Sequence, residues 1–432
     1  MKKVCLHKGG IMKNKLYGLA GSIILFCAGI GTAQTSSART VSTVIANTGT
    51  EGVKIAARDT IFAVQKDVWK TLKKALKEKD KTYRNAALNF ASGYANKRLY
   101  TELFKYLPKA KTDVKIDLLH WIGSEANDPD KKEILKTIET GIERTGTQTL
   151  IRLLNDSDPE VRLATAGALG AIGDKTALPA LVDLLKSQDS QTVSYAKTVL
   201  DSIPDDISLS LARVISQASD EGKIVAMELL SARKANTYFN AVLEQTKSMN
   251  PDVKNAAYNA LQHVVSQRDF AILCGMVETT ESAFYTLLQQ AIASSIASLS
   301  PEEQTKTVTN RMLRAGDEKK HLYYPVLAST GDPTVLDIIV RGFNEERGEA
   351  KDAAFEALCS WKGFDAEEAL YAISQTSSAP YDEKAAEAYI TLISREKMTG
   401  ENRLLFLRKA MDVAKTDDQR NRINVLMDMD QQ

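Results

Sequence analysis

The feature that most constrains this chain is a recurrence. An acidic or small polar residue is followed, after two residues of spacing, by an anchor and then commonly by a base. The pattern starts at Asp80, Lys111, Asp158, Asp189, Ser219, Asn250, Glu281, Gly316, Arg347, Asp382 and Asp417. Successive starts lie 31, 47, 31, 30, 31, 31, 35, 31, 35 and 35 residues apart. A period of this size builds a stacked helical array, because each short unit cannot bury its own apolar face and must cover it with the next.

The residues after each anchor keep one helical face apolar. One unit supplies Val161, Ala164, Ala168 and Leu169, another Val253, Ala256, Ala260 and Leu261, and a more degenerate one Phe284, Leu287, Ala291 and Ile292. That spacing follows the 3.6-residue period of a helix and not the alternation of a strand. A preceding helix is clearest over 176–186, where Leu178, Leu181, Leu184 and Leu185 form its stripe. Asp158 and Asp189 stand where an N-cap side chain accepts a backbone N–H, and Pro159 suits a first helical turn. Gly170 and Gly173 close the same helix or admit a neighbour. Each unit therefore reads as helix, turn, helix.

These residues resemble HEAT repeats, in particular the short HEAT-like units of phycobilisome lyases. The resemblance is carried by DPEVRLATAGALGAIGD (158–174) and GDKTALPALVDLLKSQDSQTVSYAKTVLDSI (173–203), and beyond 147–203 it rests on spacing and apolar pattern over about 80–432. It implies an all-α fold, an α-α superhelix of about 10–11 helical hairpins, with a concave surface for partners and no single activity. Similar exported arrays accompany sugar-active domains in longer proteins. Composition agrees, with 44% apolar residues, 26% charged and only 6% aromatic, as suits layers of alanine-rich helices. On this reading residues 56–432 form one solenoid with an incomplete last repeat, preceded by a flexible segment over 34–55.

The first 33 residues are of another kind. Met12, Lys13, Asn14 and Lys15 open a basic stretch, Leu16 to Ile30 are mainly apolar, and Gly31, Thr32 and Ala33 are small where a signal peptidase cuts. Export to the periplasm or cell envelope is expected, with Gln34 as the first mature residue. The apolar run is too short to favour a permanent membrane span. Anchoring as a lipoprotein through Cys27 is the alternative, disfavoured by the bulky Phe26 before it. Cleavage removes five lysines and no acids, leaving 51 bases against 55 acids and a net charge of −4. That balance argues against nucleic acid as partner. Cys274 and Cys359 would remain in distant units, where free thiols are expected and a disulfide is not.

No catalytic or cofactor site emerges. His120, His263 and His321 are not followed by glutamate, so the paired His-Glu metal motif of some HEAT-like proteins is missing. No nucleophile elbow or phosphate loop occurs, and the glycines Gly141 and Gly146 read as breaks beside a helix. Trp121 and Trp361 fall seven and eleven residues after their anchors, at core positions, and Trp69 shares a stripe with Phe62, Leu72 and Leu76. Tyr285, Tyr323 and Tyr324 form the tightest aromatic cluster and the weakest case for a sugar platform.

Three features remain. The 47-residue spacing places extra chain between about Asp128 and Gly146, where Ile134, Leu135, Ile138 and Ile142 suggest another amphipathic helix, either an insertion that extends a binding face or a degenerate repeat helix. The segment 403–413 reads as a first helix and Asp417 begins a second, with Ile423, Leu426 and Met427 apolar, so an exposed apolar edge is expected near the end. Finally, one residue after the anchor stand Arg84, Lys115, Arg162, Lys223, Lys254, Lys320 and Lys351, a base in seven of eleven units. They are either partners of acids in neighbouring helices or a partner-binding ridge. The function expected is a noncatalytic envelope scaffold for a protein or peptide. The alternative is the helical accessory module of a carbohydrate-processing system, binding an anionic glycan or a partner enzyme.

Overall fold

The computed structural model describes residues 68–141, 144–395 and 401–429. The expected signal peptide, the segment 34–55, Phe62 and Ile142 lie outside the described residues. Contacts cluster in two units, Met1–Ser210 and Leu211–Gln432.

In the first unit, α1 (Val68–Ala75) and α2 (Lys81–Ala91) form a hairpin, followed by α3 (Lys97–Tyr106) and α4 (Thr112–Glu125). After α5 (Pro129–Thr137) come the short strands β1 (Glu139–Gly141) and β2 (Arg144–Thr145). Two further hairpins pair α6 (Gly146–Leu153) with α7 (Pro159–Ile172) and α8 (Leu178–Asp183) with α9 (Ser190–Asp201). The helix α10 (Ser208–Val214) spans the division between the units. The second unit continues with α11 (Asp220–Ala232), then α12 (Phe239–Gln245) with α13 (Pro251–Val264), and α14 (Phe270–Val277) with α15 (Tyr285–Ile296). It ends with α16 (Pro301–Met312) and α17 (Tyr324–Thr330), α18 (Leu336–Glu345) and α19 (Glu349–Cys359), α20 (Glu367–Thr376) and α21 (Tyr381–Arg395), and α22 (Glu401–Val413) and α23 (Asp417–Met429). Second helices pack on second helices: α2, α4, α7 and α9 in the first unit, and α11, α13, α15, α17, α19, α21 and α23 in the second.

The recurring polar residue explains why the chain turns where it does. Asp80, Asp158, Asp189, Ser219 and Asn250 are N-caps whose side chains accept backbone N–H groups of the first helical turn. Lys111, Glu281 and Gly316 hold the same position without a side-chain bond. Behind Glu281 and Gly316 the chain enters through 3-10 turns, Ser282–Phe284 and Asp317–Tyr323, which supply by tighter backbone bonding what the missing cap does not. The register then drifts. Gly348, not Arg347, caps α19, Asp382 lies inside α21, and Thr416 caps α23 through Gln419.

The apolar faces close the stack. Val161, Ala164, Ala168, Leu169, Val253, Ala260, Leu261, Phe284, Ala291 and Ile292 are all buried, while Ala256 and Leu287 are half-buried. In the first helix of the best repeat, Leu181 and Leu185 are buried with Val182, and Leu178 and Leu184 sit at the flanks. Gly173 ends α7 in the left-handed conformation, φ 63°. Gly170 admits α9, since a Cβ there would stand 2.6 Å from Val199 Cγ1.

The extra chain departs from the sequence expectation. Asp128 caps α5 as the first added helix, yet helix stops at Thr137 and Ile138 is buried in extended backbone that leads into the β1–β2 hairpin. Apolar periodicity at 134, 135 and 138 suits a helix, but Gly146 needs Ile138 against it, and its N–H bonds the Ile138 carbonyl at 2.8 Å. The added helix is fastened by Lys131, whose ammonium reaches Glu125 at 3.0 Å and the Ser92 carbonyl at 2.9 Å. Tyr100 donates to the same buried carboxylate at 2.7 Å.

One buried ion pair ties neighbouring hairpins. Arg84, 2% exposed, donates from Nε to Asp117 Oδ2 at 2.7 Å and from Nη1 to the Glu78 and Lys79 carbonyls at 3.0 Å each. Removing one member leaves a charge buried without compensation. Arg84→Ala should therefore cost about 3–5 kcal/mol in urea unfolding, whereas the joint change Arg84→Met with Asp117→Leu should recover most of that loss.

Candidate functional site

Five of the seven bases stand in a first helical turn four residues behind the cap, while Lys320 lies in the 3-10 turn Asp317–Tyr323 and Lys351 stands three residues behind its cap Gly348. The backbone N–H groups of Arg84, Lys115, Arg162, Lys223 and Lys254 each close the first turn onto the cap carbonyl four residues back. Their side chains are engaged. Lys115 reaches Asp156 in the next hairpin at 2.7 Å, and Lys254 reaches Glu281 at 3.2 Å while lying over the Phe284 ring. Arg162 donates to the Asp156 and Ser157 carbonyls, at 3.0 and 3.2 Å. Lys223 and Lys320 pair within their own turns with Asp220 and Asp317. Lys351, where the register has slipped, sits over Phe343 and Tyr381 at 4.5 and 5.4 Å from the ring centroids. The acids that receive them are Asp113 and Asp117, Asp156, Asp220, Glu281 and Asp317. Glu281 stands at the start of the neighbouring helix, where the sequence suggested an acidic partner, and makes no capping bond of its own, while the Thr192 hydrogen bond and, to a lesser degree, the Arg162 charge lower the Asp189 carboxyl.

The other residues singled out from the sequence are structural. Trp121 is buried and donates to Ser92 Oγ at 2.9 Å, Trp361 is buried, and Trp69 is half-buried with its edge on Tyr106. Tyr323 and Tyr324 are buried and donate to Glu278 and Glu346, so neither offers a ring face to a sugar. His120 and His263 are exposed, His321 is half-buried, and no metal-ligand cluster occurs among the described residues. Of the residues named for an apolar edge in the last hairpin, Ile423 is buried and Leu426 and Met427 are half-buried, while Leu405 and Val425 are exposed.

A polar cluster that sequence reasoning missed joins three elements of the second unit. Glu278, just beyond α14, accepts from Arg311 of α16 at 2.6 Å and from Tyr323 in the turn before α17, with Cys274 buried beside them. Burial raises the Tyr323 phenol, and the Glu278 hydrogen bond raises it further. The four residues are 4 to 49 positions apart in sequence, with no local pattern to connect them.

Open surface lies in grooves between helices. The largest described, about 780 Å³, runs between α16 and the turn leading into α18, lined by Pro301, Thr305, Thr309, Asn310, Pro333 and Ile338 among others. Its acids are Glu302 and Asp332 and its base is Lys306. Hydrogen bonds from the Thr334 backbone and hydroxyl hold the Asp332 carboxyl below the usual range. Thr309 Oγ1 on this wall is buried with no hydrogen-bond partner. A second groove, about 530 Å³, separates α11 from α13 at Glu228, Asn259 and His263. A third, about 420 Å³, lies between the end of α3 and α6.

Capped helical hairpins stacked through their second helices define a helical-repeat protein. Residues 116–200 match the family model described as HEAT repeats, which supports a HEAT-repeat protein. No curated protein matches it in sequence. Among solved structures it is similar to an engineered protein, at 15% identity over 92% of this chain and 99% of that one, TM-score 0.36. It is also similar to importin beta crystallised in ammonium sulfate, at 13% identity over 87% of this chain, TM-score 0.38, and to Kap121p bound to Ste12p, at 11% identity over 91%, TM-score 0.43. The chain spans 59% of that importin beta chain and 47% of the Kap121p chain.

Two outcomes test these assignments. Burial would raise the Asp156 carboxyl, but hydrogen bonds from Lys115 and the Asp158 N–H hold it below its ordinary 3.8. A lowered folded pKa contributes stability above the unfolded value that is lost as pH falls through the folded one. Lys115→Met should therefore lower the unfolding temperature at neutral pH, with the difference from wild type shrinking as pH drops below about 4. Burial also pushes the Cys274 and Cys359 thiols up, to about 11 and about 12. In a chain lacking residues 1–33, Ellman's reagent at mildly alkaline pH should leave both unlabelled until urea is added.

Proposed function

We propose that this protein is a noncatalytic scaffold of the cell envelope that holds a protein or peptide partner on its HEAT-repeat surface. The observation that carries the reading is the groove between α16 and α18. It offers about 780 Å³ of open space. Asn310 and Lys306 beside it can donate, while Glu302 and Asp332 can accept, so the lining suits the mixed polar surface of a peptide. Kap121p, similar in its stacked helices, is described bound to Ste12p.

Part of the row of bases contributes to this function by tying one hairpin to the next, through Arg84 to Asp117, Lys115 to Asp156, Lys254 to Glu281 and Lys351 to the Tyr381 ring. Placement in the envelope rests on the basic, apolar and small-residue order of the first 33 residues.

A photo-crosslinking side chain at Asn310 of the full chain, expressed in its native cells, should yield a discrete adduct with an envelope protein. Thr309→Trp, which fills the groove, should weaken binding of the purified partner at least about tenfold. An Asn310 adduct no stronger than one from exposed Lys247, or full affinity in the tryptophan variant, would sink the proposal.

A further inference from the structure

The groove between α3 and α6 differs from the other two in charge. Its lining is Phe104, Lys105, Pro108, Lys109, Thr149, Arg152 and Leu153, three bases and no acid. Lys105 pairs with Glu102 at 3.1 Å, an exposed pair of little strength. Lys109 and Arg152 are exposed and make no ion pair among the described residues. Each base stands in the last turn of its own helix, where cations are favoured singly. That preference accounts for each base and not for the convergence of three on one concavity. The convergence comes from the added chain: β1 packs on α3 and on α6, setting the C-terminal turns of α3 and α6 side by side. Phe104 and Leu153, both buried, make the floor, with Pro108 exposed at the rim. About 420 Å³ lies within the range of roughly 300–1,000 Å³ for pockets that hold an organic ligand.

We infer that this groove receives an acidic segment of a protein partner, carboxylates toward Lys109 and Arg152 and a flanking apolar side chain toward Phe104, Pro108 and Leu153. This rests on the protein-binding reading and adds the chemistry of the bound segment. Charge complementarity selects an acidic occupant, and the apolar floor selects a peptide over a free anion, which would leave that floor uncovered.

The test uses the full chain and a short fluorescein-labelled peptide alternating glutamate and leucine, read by anisotropy at low and physiological salt. Binding should weaken as salt rises, because the charges are exposed. The double change Lys109→Glu with Arg152→Glu should raise Kd at least about tenfold with helical circular dichroism unchanged, and Lys247→Glu should leave it alone. Arg152→Gln alone, milder for folding, should raise it about threefold. Equal binding of an alternating lysine and leucine peptide would overturn the inference, as would indifference to the charge reversals. Displacement of the peptide by inorganic phosphate at matching concentration would reduce the groove to an anion site. Loss of phosphatidylglycerol vesicle binding in the double variant, without peptide binding in wild type, would assign it to a lipid surface. Thr309→Trp should leave this peptide's affinity intact. Partner loss in that variant with peptide affinity retained would therefore count only against the groove at α16.

Discussion

The rest of this fold depends on the turn that returns each hairpin to its stack. At five of the second helices a side-chain oxygen of Asp, Ser or Asn accepts the first free N–H groups, at Asp80, Asp158, Asp189, Ser219 and Asn250. Fixing the start fixes the phase of the apolar stripe, because a helix that begins one residue late turns its face by about 100°. Phase in turn decides whether Val161 or Val253 meets the neighbouring hairpin or water. Where the cap side chain is absent, at Glu281 and Gly316, the chain keeps its phase through a 3-10 entry instead. Where neither device holds the original position, near Arg347 and Asp382, the start moves by a residue or two.

The cap also assigns the base that follows it. That base meets a carboxylate of the next hairpin, as Arg84, Lys115 and Lys254 do, or groups of its own turn, as Arg162, Lys223 and Lys320 do. Arg84 does both, and among the seven it is the one that is fully enclosed. Part of the row is thus a seam between repeats, and open surface also lies in grooves between helices, where side chains of α16 or α6 leave space uncovered.

Much of this was legible in the chain because it is local. Caps, proline at N1, glycine after the last turn and the placement of Trp121 and Trp361 follow from spacing within one unit. The limits of the added segment, Asp128 and Gly146, were legible for the same reason. Its interior was not, since Ile138 satisfies a helical period and is nevertheless extended against Gly146 and Phe104. The Glu278, Arg311 and Tyr323 cluster was invisible too, because its members lie on three elements and each alone looks like a surface residue.

The sequence by itself determined that the chain would be repeated helical hairpins, where the second helices up to Asn250 would begin and most of the side chains that would be buried. Those outcomes depend on backbone capping and on a single helix period, both of which act over a few residues. Tertiary structure alone decided which acid each base would meet, that helix would give way to a hairpin after Thr137, and that Lys105, Lys109 and Arg152 would share a groove. These depend on distances between elements, and elements dozens of residues apart are brought together only when the apolar faces have stacked.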